Sequence, residues 1–202
     1  MRVLWLFLAG TLALTIPAQS ASDRETTAAP DAGLEAPEPE PDPATRLEGL
    51  FESLKSTADP DAAKSAENDI IKIWLDSGSD TVDLLMTWTL AAMEEKNFGL
   101  ALDYLDRIVA MKPDYAEGWN KRATVHFLVD DYPKAIADIE RTLALEPRHF
   151  GALSGLGAIM RDIGDDDRAV VAYRLALEID PHLDSVKDAL KEIENENAGR
   201  EL

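Results

Sequence analysis

The chain of 202 residues contains no cysteine. That excludes disulfides, thiolate metal sites, a cysteine nucleophile and lipid attachment through an N-terminal cysteine. Histidine is scarce: His126, His149 and His182 are the full set, and no two of them have a spacing suited to one metal ion. Basic residues are few, with 20 Lys and Arg against 39 Asp and Glu, a formal net charge of −19. Such a chain repels nucleic acid phosphates and anionic lipid headgroups at long range, so neither is an expected partner. No strand pattern is present, so no glycine-rich phosphate loop can follow one. Hydrophobic residues make up 46%, which is enough to build a core in one domain with appendages.

The chain changes character along its length. After Met1 and Arg2, residues 3–16 (VLWLFLAGTLALTI) carry no charge, Pro17 ends the run, and small residues Ala18, Ser20 and Ala21 follow. Charged, apolar and then small residues is the order of a secretory leader. The run is shorter than the about 17–25 residues a permanent membrane anchor needs. Cleavage after Ser20 satisfies the small-x-small rule, with cleavage after Ala21 as the alternative. Residues 21–45 are acidic and proline-rich, with five prolines from Pro30 to Pro43 and Leu34 as the sole large apolar side chain. They are expected to form a disordered spacer, since so little apolar surface cannot offset chain entropy. Residues 46–78 then predict a helical pair acting as an N-terminal cap. Leu47, Leu50, Phe51 and Leu54 share one helix face, and Ala63, Ala66, Ile70, Ile73 and Trp74 share the next. Asp59-Pro60 opens the second helix and Ser77-Gly78 stops it.

From residue 82 the chain is periodic. Three blocks, 82–115, 116–149 and 150–183, are each 34 residues long with no insertions. Position 32 is always proline (Pro113, Pro147, Pro181) and position 20 always alanine (Ala101, Ala135, Ala169). Position 8 is small or short (Thr89, Ala123, Gly157), and positions 4 and 24 are large and apolar (Leu85, Trp119, Leu153; Leu105, Ile139, Tyr173). Small residues at 8 and 20 let two antiparallel helices approach closely, the large ones fill the gaps, and proline stops the second helix. Each hairpin leaves apolar surface that only a neighbour can cover, so the ends need caps. Residues 184–197 supply the C-terminal cap, with Val186, Leu190 and Ile193 facing inward.

This pattern resembles the tetratricopeptide repeat family over residues 82–183. Together with the leader and spacer, the chain is similar to exported tetratricopeptide proteins of Gram-negative bacteria, the alphaproteobacterial kind especially. The resemblance implies an all-α fold, a right-handed α–α superhelix whose first helices line a concave groove. Its groove positions 2, 5, 9, 12 and 13 fall on Asp83, Met86, Leu90, Met93 and Glu94 in the first block. They fall on Glu117, Asn120, Thr124, Phe127 and Leu128 in the second, and on Gly151, Ser154, Ala158, Arg161 and Asp162 in the third. An apolar strip (Met86, Leu90, Met93, Phe127) with polar anchors at Asn120 and Arg161 is the expected partner-binding surface. Family members that clamp a C-terminal carboxylate use lysines and asparagines at set positions. Met86 and Leu90 stand there instead, so that clamp is not expected.

The second block departs from the family at its interior positions. Position 7 is apolar in Trp88 and Leu156 but is Arg122 here, and position 11 is His126. Four residues apart, they share a helix face. A buried arginine needs carboxylate partners, and Asp138, Glu140, Asp103 and Asp106 are candidates. Two readings stay open: a structural ion pair between hairpins, or an arginine that anchors a ligand. Arg148-His149-Phe150 forms a second cationic and aromatic cluster at a turn. Gly151, Gly155 and Gly157 are assigned to helix-packing positions, and Ser154 lacks a base at motif spacing. No catalytic constellation, cofactor motif or metal site is visible.

The expectation is a non-catalytic protein–protein interaction or scaffold module in the cell envelope, periplasmic or secreted, binding a peptide or partner helix. A self-associating assembly unit, a homo-oligomer, is the alternative, and an accessory subunit of an envelope enzyme another. No stable membrane span is expected once the leader is removed. Mass spectrometry of the exported protein tests the leader: a mature chain starting at Ala21 is expected, and retention of Met1 overturns cleavage.

Overall fold

The structure, a computed structural model, describes residues 42–200, and side chains as far as residue 198. The leader and nearly all of the acidic spacer lie outside the described residues. Nine helices and no strand occur among the described residues: α1 (Pro43–Ser56), α2 (Pro60–Leu75), α3 (Asp80–Glu94), α4 (Phe98–Met111), α5 (Ala116–Leu128), α6 (Tyr132–Leu145), α7 (Phe150–Asp162), α8 (Asp166–Ile179) and α9 (Asp184–Arg200). None of them is long and apolar enough to cross a membrane. Helices α3/α4, α5/α6 and α7/α8 are the three hairpins.

Two ends differ from expectation. The first helix begins at Pro43, inside the stretch assigned to the spacer. Asp42 accepts hydrogen bonds from the amides of Ala44 and Thr45 and from the Thr45 hydroxyl, and Pro43 lacks the amide that would otherwise be orphaned. The last helix continues to Arg200 rather than 197, because no proline follows to stop it.

One backbone device turns all three hairpins. Position 15 of each block takes a left-handed conformation: Lys96 at φ 56°, Asp130 at φ 59° and Gly164 at φ 80°. The next amide reaches back to close the preceding helix, Asn97 to Ala92, Asp131 to His126 and Asp165 to Met160, each at 2.8 Å. This is the Schellman closure, and it satisfies carbonyls that the helix end leaves orphaned. Asn97 and Asp165 then cap the following helix through their side chains, accepting from Leu100 and Arg168. Only Gly164 adopts its φ without steric cost; Lys96 and Asp130 hold it because the flanking helices pack.

Between paired helices the small side chains are all buried: Thr89 with Ala101, Ala123 with Ala135, and Gly157 with Ala169. The three glycines of α7 are not equivalent, contrary to their common assignment as packing residues. A Cβ on Gly157 would overlap the Tyr173 ring, one on Gly155 would meet only Ile139 Cδ1 at 3.8 Å, and one on Gly151 would just touch His149. Gly157 alone is required by packing.

The N-terminal pair does not stack in front of α3 as the expected cap. It lies along the edge formed by the turns that join successive repeats. The Tyr115 hydroxyl donates to the Leu75 carbonyl at 2.9 Å, and His182 Nε2 approaches the Thr57 carbonyl at 3.2 Å. Trp74 stacks on His149, ring centroids 4.1 Å apart, and tilts against Phe150. Arg148 pairs with Glu48 and lies 4.3 Å over the Phe51 ring. The last position of every block (Tyr115, His149, Leu183) meets this pair or its core. The reason is apolar matching: Phe51, Leu54, Ile70 and Trp74 bury with Phe150, flanked by Ile179 and Leu183. Consequently no described helix stacks on the outer face of α3/α4. Trp88, expected inside, is 46% exposed beside Leu84 at 49%.

Substitution of two neighbouring glycines should separate these packing environments. Gly155→Ala is expected to stabilise the protein by about 0.5–1 kcal/mol through helix propensity, while Gly157→Ala destabilises it by about 1–3 kcal/mol through overpacking. Chemical denaturation of both variants reads the opposite signs.

Candidate partner-binding face

The face built by the first helices carries a cleft of about 90 Å³ between α5 and α7. Ala123, Phe127, Ile139, Ala152 and Ile159 make it apolar, while Asn120 and Thr124 supply polar atoms. Gly151 and Gly155 keep it open, since neither bears a side chain and neither is needed for close packing. Phe127 is held by Tyr132, ring centroids 6.0 Å apart.

One end of the cleft is organised by a buried carboxylate. Glu117, only 3% exposed, accepts from Asn120 Nδ2 at 3.0 Å and Lys121 Nζ at 2.7 Å, and from His149 Nε2 at 2.8 Å. Burial pushes its pKa up, but the hydrogen bond from His149 and the charge of Lys121 outweigh that and hold it below the ordinary glutamate value. A carboxylate only accepts, so Asn120 must point its amide hydrogens at Glu117 and leave Oδ1 as an acceptor. His149 donates from Nε2 and its Nδ1 accepts from the Ala152 amide at 3.1 Å, capping α7. One imidazole thus joins the start of α5 to the start of α7. Trp74 covers it. Sequence reasoning placed Glu117 in the groove and His149 in a turn but did not join them. Positions 2 and 34 of one block were the available signal.

The other expected site residues are dispersed. Met86 is a core residue, not a groove residue: it is buried with Val82, Leu85, Ile108 and Tyr115, and Leu75 of α2 packs on that cluster. Met93 is half-buried against the same cluster, and Leu90 remains exposed on α3. Arg161 is not free to anchor a ligand from the groove side, because it pairs with Glu192 at 2.8 Å and Glu196 at 3.4 Å on α9. Only Asn120 and Phe127 of the expected set line the cleft.

Arg122 and His126 lie on the other side of α5, in a hollow shared with Asp106, Lys134, Ala137 and Asp138. Arg122 Nε and Nη2 donate to the two oxygens of Asp138 at 2.8 and 2.7 Å, and Nη1 donates to Asp106 at 2.9 Å. The guanidinium also lies 4.8 Å over the Trp119 ring. Asp106 is on α4 and Asp138 on α6, so the fork ties three helices of two hairpins. His126 Nε2 sits 3.9 Å from Asp138 and its buried Nδ1 has no partner. Burial lowers its pKa, overriding the raising effect of Asp138. Among the described residues no cluster of His, Asp and Glu could hold a metal ion.

Arg122→Leu is expected to lower stability by about 1–3 kcal/mol, because it strands the buried Asp138 carboxylate. Arg122→Leu with Asp138→Leu should regain most of that loss. A double-mutant denaturation cycle measures the coupling.

A family model described as tetratricopeptide repeat matches residues 129–184. A TPR repeat-containing protein of Rhizobium etli is 50% identical over 139 residues, which are 69% of this chain and 68% of that protein. Among solved structures, the Sgt2 TPR domain from Aspergillus fumigatus is similar with a TM-score of 0.56 at 25% identity, over 60% of this chain and 83% of that one. The first TPR of Spaghetti (RPAP3), bound to an HSP90 peptide, has a TM-score of 0.56 at 20% identity, over 58% of this chain and 93% of that one. This last likeness is one of fold.

Proposed function

Because the chain belongs to the tetratricopeptide repeat family, we propose that it is a non-catalytic interaction module that seats an extended peptide or partner helix on the first-helix face. The cleft between α5 and α7 carries this reading. An apolar side chain of the partner fills it, and Asn120 Oδ1 accepts a partner backbone amide. A neighbouring fold is named for a bound HSP90 peptide; an acidic peptide fits this face poorly. The chain carries a net charge of −19, Met86 is buried, and Leu90 stands where a cationic clamp residue would be needed. A neutral or basic segment is the better ligand.

The module works in the cell envelope, reached through the leader at residues 1–20, with residues 21–41 as an acidic extension ahead of α1. The charged, apolar and small-residue order of the first 21 residues supports this. An accessory role beside an envelope enzyme is a special case of the same binding.

A photoreactive residue in place of Thr124, in the full chain expressed in its own cells, tests the cleft. One recurrent cross-linked protein is expected. Gly155→Leu should cut its yield about tenfold by filling the cleft, without lowering the melting temperature. Equal capture by Gly155→Leu overturns the proposal.

A further inference from the structure

The outer face of α3/α4 is a repeat-stacking face without a predecessor among the described residues. In the second and third blocks, positions 3, 7 and 10 of the first helix turn toward the preceding hairpin. Gly118 there lies against Ile108 and Tyr115, Val125 and Ile159 are fully buried, Ala152 is buried, and Leu156 is half-buried. In the first block the same positions are Leu84, Trp88 and Ala91, all exposed. A second stripe runs beside them on α4, from exposed Leu100 through half-buried Tyr104 to Met111 at 55% exposure. Trp88 and Tyr104 join the stripes, ring centroids 5.8 Å apart. The N-terminal pair, which would otherwise cover this face, is committed to the inter-repeat edge.

We propose that this face pairs with the same face of a second copy, two hairpins forming one four-helix layer about a twofold axis. Two observations select that occupant. By repeat register the face corresponds to those of α5 and α7 that stack on α4 and α6, so the surface that fits it is another repeat hairpin. The opposite end of the solenoid cannot supply one. There α9 buries Val186 and Ile193 and turns Asp188, Lys191 and Glu192 outward, with Lys187 and Lys191 paired to Asp184 and Asp188. Head-to-tail stacking would press charges onto Trp88, so the matching apolar hairpin face in this chain is its own image. Such an isologous contact closes at two copies. The size of the face bears on the strength of the pairing. Two helices of 15 and 14 residues make a face of about 22 by 20 Å, or roughly 900 Å² for the two copies together. That is below the standard range, which fits a weak, reversible dimer. Because each copy carries −19, added salt relieves repulsion and tightens the pair.

The pairing is independent of the cleft between α5 and α7, so either stands if the other fails. Sedimentation velocity of the full chain up to about 200 µM is expected to show a monomer–dimer equilibrium that tightens about threefold or more between low and high salt. Leu84→Glu with Trp88→Glu should abolish the dimer while leaving helicity by circular dichroism unchanged. The cysteine-free background allows a direct test of geometry. Ala91→Cys, on the face, should oxidise to a covalent dimer about tenfold faster than Lys191→Cys on α9. A chain that stays monomeric, as it would if residues 3–16 or another protein covered the face, overturns the proposal. So does a dimer that ignores the double substitution, weakens with salt, or oxidises equally at both cysteines.

Discussion

The whole molecule depends on how closely two helices of one hairpin approach. Where Ala135 faces Ala123, or Ala169 faces Gly157, the side chains are small enough for the backbones to close and for Ile139 or Tyr173 to pack across them. Each hairpin then has two apolar faces and no interior of its own. Stability comes from stacking one hairpin on the next, and each end becomes a separate problem. The C-terminal end is solved by α9. The N-terminal end is not solved by stacking, because the helices that could have done so are used elsewhere.

That use ties the solenoid lengthwise. Nearest-neighbour stacking links only adjacent repeats, whereas α1 and α2 reach turns at the ends of all three blocks, at Tyr115, His149 and Leu183. The Trp74–His149 stack covers the imidazole that caps α7 and donates to Glu117. The orientation of Asn120 at the cleft is therefore set through Glu117 by a residue at a turn, beneath a ring from outside the repeats. Arg122 makes a comparable tie on the far side of α5, joining α4 and α6 through Asp106 and Asp138. Two charge-assisted networks thus hold the second block from both sides, in a chain whose acidic excess would otherwise push its helices apart.

Much of the candidate site was legible residue by residue but not as an arrangement. Asn120 and Phe127 could be placed on the cleft from their repeat positions alone. Met86 and Arg161 occupy equally valid positions, and their side chains are diverted by neighbours that the repeat does not encode: the Tyr115–Leu75 contact in one case and the carboxylates of α9 in the other. Arg122 was recognisable as an anomaly, with Asp138 and Asp106 among its four candidate partners, and geometry selected them over Asp103 and Glu140.

The 34-residue period, the small residues at positions 8 and 20 and the prolines at 32 determined three helical hairpins without reference to any structure. Those features act locally: they fix helix ends, close approach within a pair, and the stop after it. The left-handed turn at Lys96, Asp130 and Gly164 is as regular, yet only its glycine member announces itself, since a lysine or aspartate there is held by packing. Tertiary structure alone decided where the N-terminal pair goes. Its apolar faces fit a stacking cap as well as an edge strap, and the choice turned on long-range contacts, Trp74 with His149 and Glu48 with Arg148, that no local pattern expresses. That choice buried the end of the cleft and left Leu84 and Trp88 facing water.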